Sequence, residues 1–206
     1  MNEFDILNMG ESILSLEEYF DEMDFSELEK EKRKAFAQDF LDAMLFIFAL
    51  ISVMQEKNYI DRQYVIQQMR SKYIELAEKH GIEIDDYMQE CISDFSKEII
   101  DATLNHLDEE YFTSDDRALI VSENESNSVF NYDQYSKAKK NGKTRKRWVT
   151  EGDNDVRKTH REVDLEIIPI DDTFVVGNSL MRFPKDEYYN PEPQEVCGCR
   201  CTIEYF

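Results

Sequence analysis

Apolar positions recur every three or four residues through the first two-thirds of the chain, and no proline interrupts them before Pro169. That period belongs to one face of an α-helix. Ser26 with Glu29 three residues on fits a capping box and predicts a helix running to about Lys57. Its later half, the run MLFIFALISVM at 44–54, is apolar on nearly every side, so it is expected inside a bundle or against another subunit. Asp61 opens a second helix carrying Tyr64, Val65, Met69, Tyr73, Ile74 and Ala77, which His80-Gly81 closes. Asp85 or Asp86 starts a third, with Tyr87, Cys91, Phe95, Ile99, Ala102 and His106 as its stripe. Thr113 or Ser114 caps a fourth, with Asp115 and Asp116 in the first turn where the helix dipole favours acids, and with Ala118, Leu119, Val121 and Val129 facing inward.

After Asn141-Gly142 the pattern shortens. The residues 147–150, 166–168, 173–176, 181–183 and 200–205 read as brief strands separated by turn residues, with a short helix from Asp153 or Asp155 to Val163 and a loop holding Pro191 and Pro193. The fold class expected is α+β. A mainly helical region, 1–131, is followed by a basic connecting segment, 132–147, and a small α+β domain with short strands, 148–206.

Charge supports the same division. Up to Tyr135 there are 32 acidic and 11 basic residues, which accounts for the whole net charge of −21; the remainder holds 13 of each. An acidic surface repels DNA, so the first region is a poor nucleic-acid binder. Lys137, Lys139, Lys140, Lys143, Arg145, Lys146 and Arg147 fall within eleven residues without an acid among them. They are the candidates for a weak, nonspecific DNA contact, set against the plainer reading of a solvated stretch. The opening stretch MNEFDILNMGES lacks the basic start of a signal peptide, and the apolar run at 44–54 falls short of the roughly 20 residues needed to span a bilayer. No membrane partner is expected.

His160 with Cys197, Cys199 and Cys201 is a set of residue types that zinc accepts. The spacing argues against it: in an extended strand alternate thiols sit roughly 6.6 Å apart, too far for one tetrahedral ion unless Gly198 breaks the strand. Cys199 and Cys201 are therefore read as small buried hydrophobes of the last strand, with zinc and an oxidised pair as the alternatives. His160 is read as a helix-face histidine, Arg157 as a partner for an acid such as Asp153, and Trp148 as the core anchor of the small domain. Phosphate-binding loops, H-E-x-x-H and G-x-S-x-G are missing from the sequence. No catalytic residue and no cofactor are assigned, and the chain is read as not an enzyme.

The order of elements in the last half resembles the C-terminal domain of phage Mu F-like head-morphogenesis proteins, over about residues 113–205. The resemblance is carried by Lys146-Arg147-Trp148-Val149-Thr150, the turn from Asp153 into Arg157-Lys158-Thr159-His160, and Pro169-Ile170-Asp171. It continues through Phe174-Val175-Val176-Gly177, Phe183-Pro184-Lys185-Asp186 and Cys199-Arg200-Cys201. Upstream, Ser114-Asp115-Asp116-Arg117-Ala118 and Glu123-Asn124-Glu125-Ser126-Asn127 resemble the preceding helix of that family. Gly198 stands where the family commonly has Asn, and Cys197 is an additional cysteine.

The resemblance implies a minor head protein. It would be assembled in a bacterial cytoplasm, carried inside the virion head near the portal, and active in head morphogenesis and in DNA packaging or ejection. Its implied partners are the portal protein and the major capsid or scaffolding protein, with a homo-oligomer left open. Two other readings stand beside it: a phage-encoded inhibitor or other interaction protein outside the virion, for which the acidity suggests DNA mimicry, and a toxin or nuclease linked to a Mu F-like domain.

Overall fold

The computed structural model describes residues 15–206; the opening stretch read as lacking a signal peptide lies outside them. The chain divides into two compact units. Among the described residues, one comprises 15–20 and Glu27–Glu123, and the other comprises Asp21–Ser26 and Asn124–Phe206.

The first unit is helical: α1 (Leu16–Asp21), α2 (Glu27–Glu56), α3 (Arg62–Lys79), α4 (Asp86–Asn105), a 3-10 turn at Glu110–Thr113, and the start of α5 (Asp115–Lys140). The starts follow the predicted capping chemistry. Asp61 accepts the Tyr64 N–H at 3.0 Å, Asp85 that of Met88 at 3.0 Å, and the Ser114 hydroxyl that of Arg117 at 3.2 Å. At the end of α3, Gly81 takes the left-handed conformation, φ 71°, that lets the chain reverse.

The core is aromatic. Phe40 stacks on Phe36 and meets Tyr73 and Phe95 edge-on, with ring centroids 4.8–5.8 Å apart. Helix α2 faces this cluster along one side only. Met44, Ile47, Phe48 and Ile51 are buried, whereas Phe46 and Val53 remain about half exposed. The apolar run is thus not enclosed on every side. At 30 residues α2 is long and apolar enough to cross a bilayer by length and composition, which the eleven-residue run did not predict. Burial of Phe36, Phe40, Met44, Ile47 and Ile51 accounts for part of that apolar character, and 44% of the apolar window is buried.

The stripe expected on α4 is displaced by about one position. Met88, Ile92, Ser96, Ile99, Ile100 and Thr103 are buried, while His106 is exposed. The displacement is tolerated because the Ser96 and Thr103 hydroxyls donate to the carbonyls of Ile92 and Ile99 at 2.6 and 2.7 Å, leaving no polar atom unsatisfied on the inner face.

In the second unit, β1 (Arg145–Val149) lies between β2 (Ile167–Pro169) and β5 (Thr202–Tyr205), antiparallel to both, with Trp148 opposite Ile203. A separate hairpin pairs β3 (Phe174–Val176) with β4 (Ser179–Met181). Two short helices, α6 (Lys158–Glu162) and α7 (Pro193–Val196), complete it. Strand β4 sits two residues earlier than expected, β5 starts at Thr202 instead of residue 200, and α7 occupies the expected loop. Asp153 forms an Asx turn, accepting the N–H groups of Asp155 and Val156, so helix begins only at Lys158.

The segment 132–147 is not a connector. Helix α5 continues through it to Lys140, and β1 begins at Arg145. The division between units falls at Asn124, within α5.

Candidate functional site

Period-two alternation in β1 turns Lys146 and Trp148 inward and leaves Arg145 and Arg147 outward. Trp148 is fully buried, edge-on to His160 and to Phe174 at 5.6 and 5.2 Å. Helix α6 brings His160 to the indole, and α7 brings Glu195 beneath the imidazole. Glu195 Oε2 lies 3.1 Å from His160 Nε2 and accepts the Thr159 hydroxyl at 2.7 Å. Such a close approach requires Gly177: a Cβ there, at φ 60°, would stand 2.8 Å from Glu195 Oε1.

On the other side of the ring, His160 Nδ1 is 3.3 Å from Cys201 Sγ and 3.6 Å from Cys199 Sγ. The three ligand atoms lie within 4.8 Å of one another, and His160, Cys199 and Cys201 are all buried. This juxtaposition corrects the expectation from spacing. Cys199 and Cys201 precede β5, and Gly198 at φ 62° bends the chain before them, so extended-strand geometry does not separate the thiols. Cys197 is not part of the group, and none of the cysteines forms a disulfide.

The cysteine segment is pinned from α5. Asn124 Oδ1 accepts the Gly198 N–H at 3.1 Å and also the buried Lys185 ammonium. Asn131 Nδ2 donates at 3.2 Å to the carbonyls of Cys201 and Pro184. Lys185 Nζ adds a bond to the Val196 carbonyl at 3.0 Å, and burial lowers its pKa. A hydrogen bond from Cys201, then His160 and Lys185, hold the Cys199 thiol well below its ordinary range in spite of burial. The same bond, with burial, pushes Cys201 well above it.

A small recess beside the group is lined by Glu151, Asp155, Val156, Arg157, Gly198 and Arg200 together with the three ligands. Burial raises the Glu151 carboxyl, which accepts the Asp24 N–H at 2.8 Å. Arg157 does not pair with Asp153 as expected; it donates to the Cys197 carbonyl, and Asp153 pairs with Arg200 at 2.6 Å. Of these groups Glu195 and Asn131 carried no signal in the sequence. Two chemistries fit the order thiol, imidazole, carboxylate: a relay activating a cysteine nucleophile, or a metal site. Cys199 and Cys201 are 2% and 4% exposed, which gives a substrate little access to sulfur.

The basic run is divided by the fold. Lys146 is fully buried and donates to the carbonyls of Ile170 and Asp172 at 2.8 and 2.6 Å, so it is withdrawn from the DNA-contact candidates. Lys137 pairs with Asp133, Lys139 with Asp171 and Arg147 with Glu204. Lys140, Lys143 and Arg145 remain exposed around the α5–β1 turn.

A family model described as "Phage Mu protein F like protein" matches residues 74–204. No curated protein and no solved structure matches the chain.

Proposed function

The chain belongs to the phage Mu protein F-like family, and from that membership we propose that it is a minor head protein carried inside the virion at the portal. The family match over residues 74–204 is the observation that carries the reading: it points to a bacteriophage head protein, a virion component. The finer role is in head morphogenesis and in DNA packaging or ejection, with the portal and the major capsid or scaffolding protein as partners. The members of this family are in general structural, and no reaction is assigned to the chain.

A DNA contact, if made, falls first to Lys140, Lys143 and Arg145, which are exposed around the α5–β1 turn, and not to Lys146, which is buried. Three neutralised phosphates at about 0.9 each give a logarithmic salt slope of roughly −2 to −3 on duplex DNA. Fluorescence anisotropy of the full chain across a salt series measures it. The triple variant Lys140→Glu, Lys143→Glu, Arg145→Glu is expected to abolish binding, and a wild-type chain with no salt-dependent binding at low ionic strength removes DNA from the reading.

The placement is tested on particles. Mass spectrometry of purified virions and procapsids is expected to find the chain at a small fraction of the capsid copy number, with cross-links to the portal. Absence from both kinds of particle would overturn the assignment and favour the interaction-protein reading.

A further inference from the structure

We propose that His160, Cys199 and Cys201 bind one zinc ion, with Glu195 orienting the histidine and the fourth coordination position on the side of the adjoining recess. The proposal is independent of the head-protein assignment.

Distances carry it first. A tetrahedral zinc at about 2.3 Å from sulfur and about 2.0–2.1 Å from nitrogen sets N···S at about 3.6 Å and S···S at about 3.8 Å. The observed N···S separations are 3.3 and 3.6 Å, and all ligand atoms lie within 4.8 Å. Both N···S separations lie within about 0.3 Å of the tetrahedral value.

The tautomer agrees. A carboxylate only accepts hydrogen bonds, so Nε2 of His160 carries the ring proton toward Glu195, and Nδ1 presents its lone pair to the two sulfurs. A carboxylate behind a ligating histidine is the usual device for holding such a ring and raising its basicity.

Charge and ligand type select the ion. Two thiolates and a neutral imidazole balance Zn²⁺, so the ion's charge is compensated by its own ligands, as a buried charge requires. Thiolate with imidazole suits zinc and disfavours the oxygen-seeking magnesium and calcium. Three protein ligands leave one position for water or for a group supplied by a partner. Cys197 is excluded because the turn at Gly198 separates it from the cluster.

The test uses the full chain, purified reduced and freed of metal by chelation. Zinc titration is expected to load one equivalent, to raise the melting temperature, and to shield Cys199 and Cys201, but not Cys91 or Cys197, from alkylation as mapped by mass spectrometry. Cobalt(II) is expected to give tetrahedral visible bands with thiolate charge-transfer absorption, retained in Cys197→Ser and lost in Cys199→Ser. Glu195→Gln is expected to weaken zinc 10–100-fold, the usual cost of losing the group behind a ligating histidine. The wild-type alkylation map keeps the proposal falsifiable even where a cysteine variant fails to fold. Unshielded Cys199 and Cys201 at saturating zinc, or no cobalt charge-transfer band, overturns it. Rapid alkylation of one of these thiols that is insensitive to zinc overturns it too, in favour of the nucleophile relay. Shielding of Cys197 with the other two would show that the ligand set is wrong.

Discussion

Two phenylalanines separated by one residue on α2 are expected to differ sharply in their contribution to stability. Phe48 is 3% exposed, and the guanidinium of the buried Arg117 lies 5.6 Å from its ring. Phe46 is 48% exposed, with Lys72 Nζ 4.3 Å from its ring centroid. Replacing a fully buried phenylalanine by alanine costs about 3–5 kcal/mol through lost burial and the residual cavity. Phe48→Ala also strips an apolar wall from Arg117, which places it toward the upper end. Phe46→Ala loses about half the burial term and an exposed cation–π contact of about 0.5–1 kcal/mol, together on the order of 1–2 kcal/mol. With a denaturant slope of about 1–3 kcal/mol per molar urea, the Phe48 variant should shift its midpoint about 1–3 M further than the Phe46 variant. Urea unfolding followed by far-ultraviolet circular dichroism reads both. Equal midpoints would refute the placement of α2, because a helix enclosed on all sides predicts comparable losses at both positions.

Lys146 titrates at about 8 because burial outweighs the attraction of nearby acids. Below pH 8 the proton is bound in both states; between about 8 and the unfolded value of about 10.4 the unfolded chain binds more, so stability rises with pH. Relative to Lys146→Met, which does not titrate, the wild type is expected to gain up to about 3 kcal/mol over that window by denaturation at each pH, and a flat difference refutes it. Gly177→Ala forces a Cβ against Glu195 in a left-handed conformation and should cost at least about 1–2 kcal/mol, read as a lowered melting temperature of the second unit. Asn124→Ala leaves the Gly198 N–H and the buried Lys185 without their shared acceptor and should cost about 1.5–3 kcal/mol by the same measurement.

The helical region was legible because its signals are local. Asp61, Asp85 and Ser114 cap the helices where capping chemistry places them, and Gly81 ends α3 where a left-handed residue is needed. What escaped were features decided by packing. Polar Ser96 and Thr103 occupy the inner face of α4 because a backbone carbonyl one turn back satisfies each hydroxyl, which an apolar stripe does not reveal. Lysines 137–147 looked like one solvated stretch because composition ignores the direction of side chains. Continuation of α5 to Lys140 and the alternation in β1 instead separate an exposed turn from a buried ammonium.

The site shows the same limit in chemical form. His160, Cys197, Cys199 and Cys201 were weighed together as a ligand set, yet the distance argument assumed that the cysteines lie in an extended strand. One residue decides against it. Gly198 adopts φ 62°, and β5 begins only at Thr202, so the spacing along the chain ceases to measure the separation in space. Glu195 was invisible for a different reason. It is one of 45 acidic residues, and nothing local distinguishes it from the rest. It acquires a role only when Gly177, eighteen positions earlier, leaves room for its carboxylate beneath His160. A glycine fixed by a carboxylate, a carboxylate that sets a tautomer, and a tautomer that turns a lone pair toward two thiols form a single chain of dependence. Removing Gly177's freedom should therefore weaken zinc binding even though no ligand atom is touched, and unaltered zinc affinity in Gly177→Ala would show that Glu195 does not orient the ring.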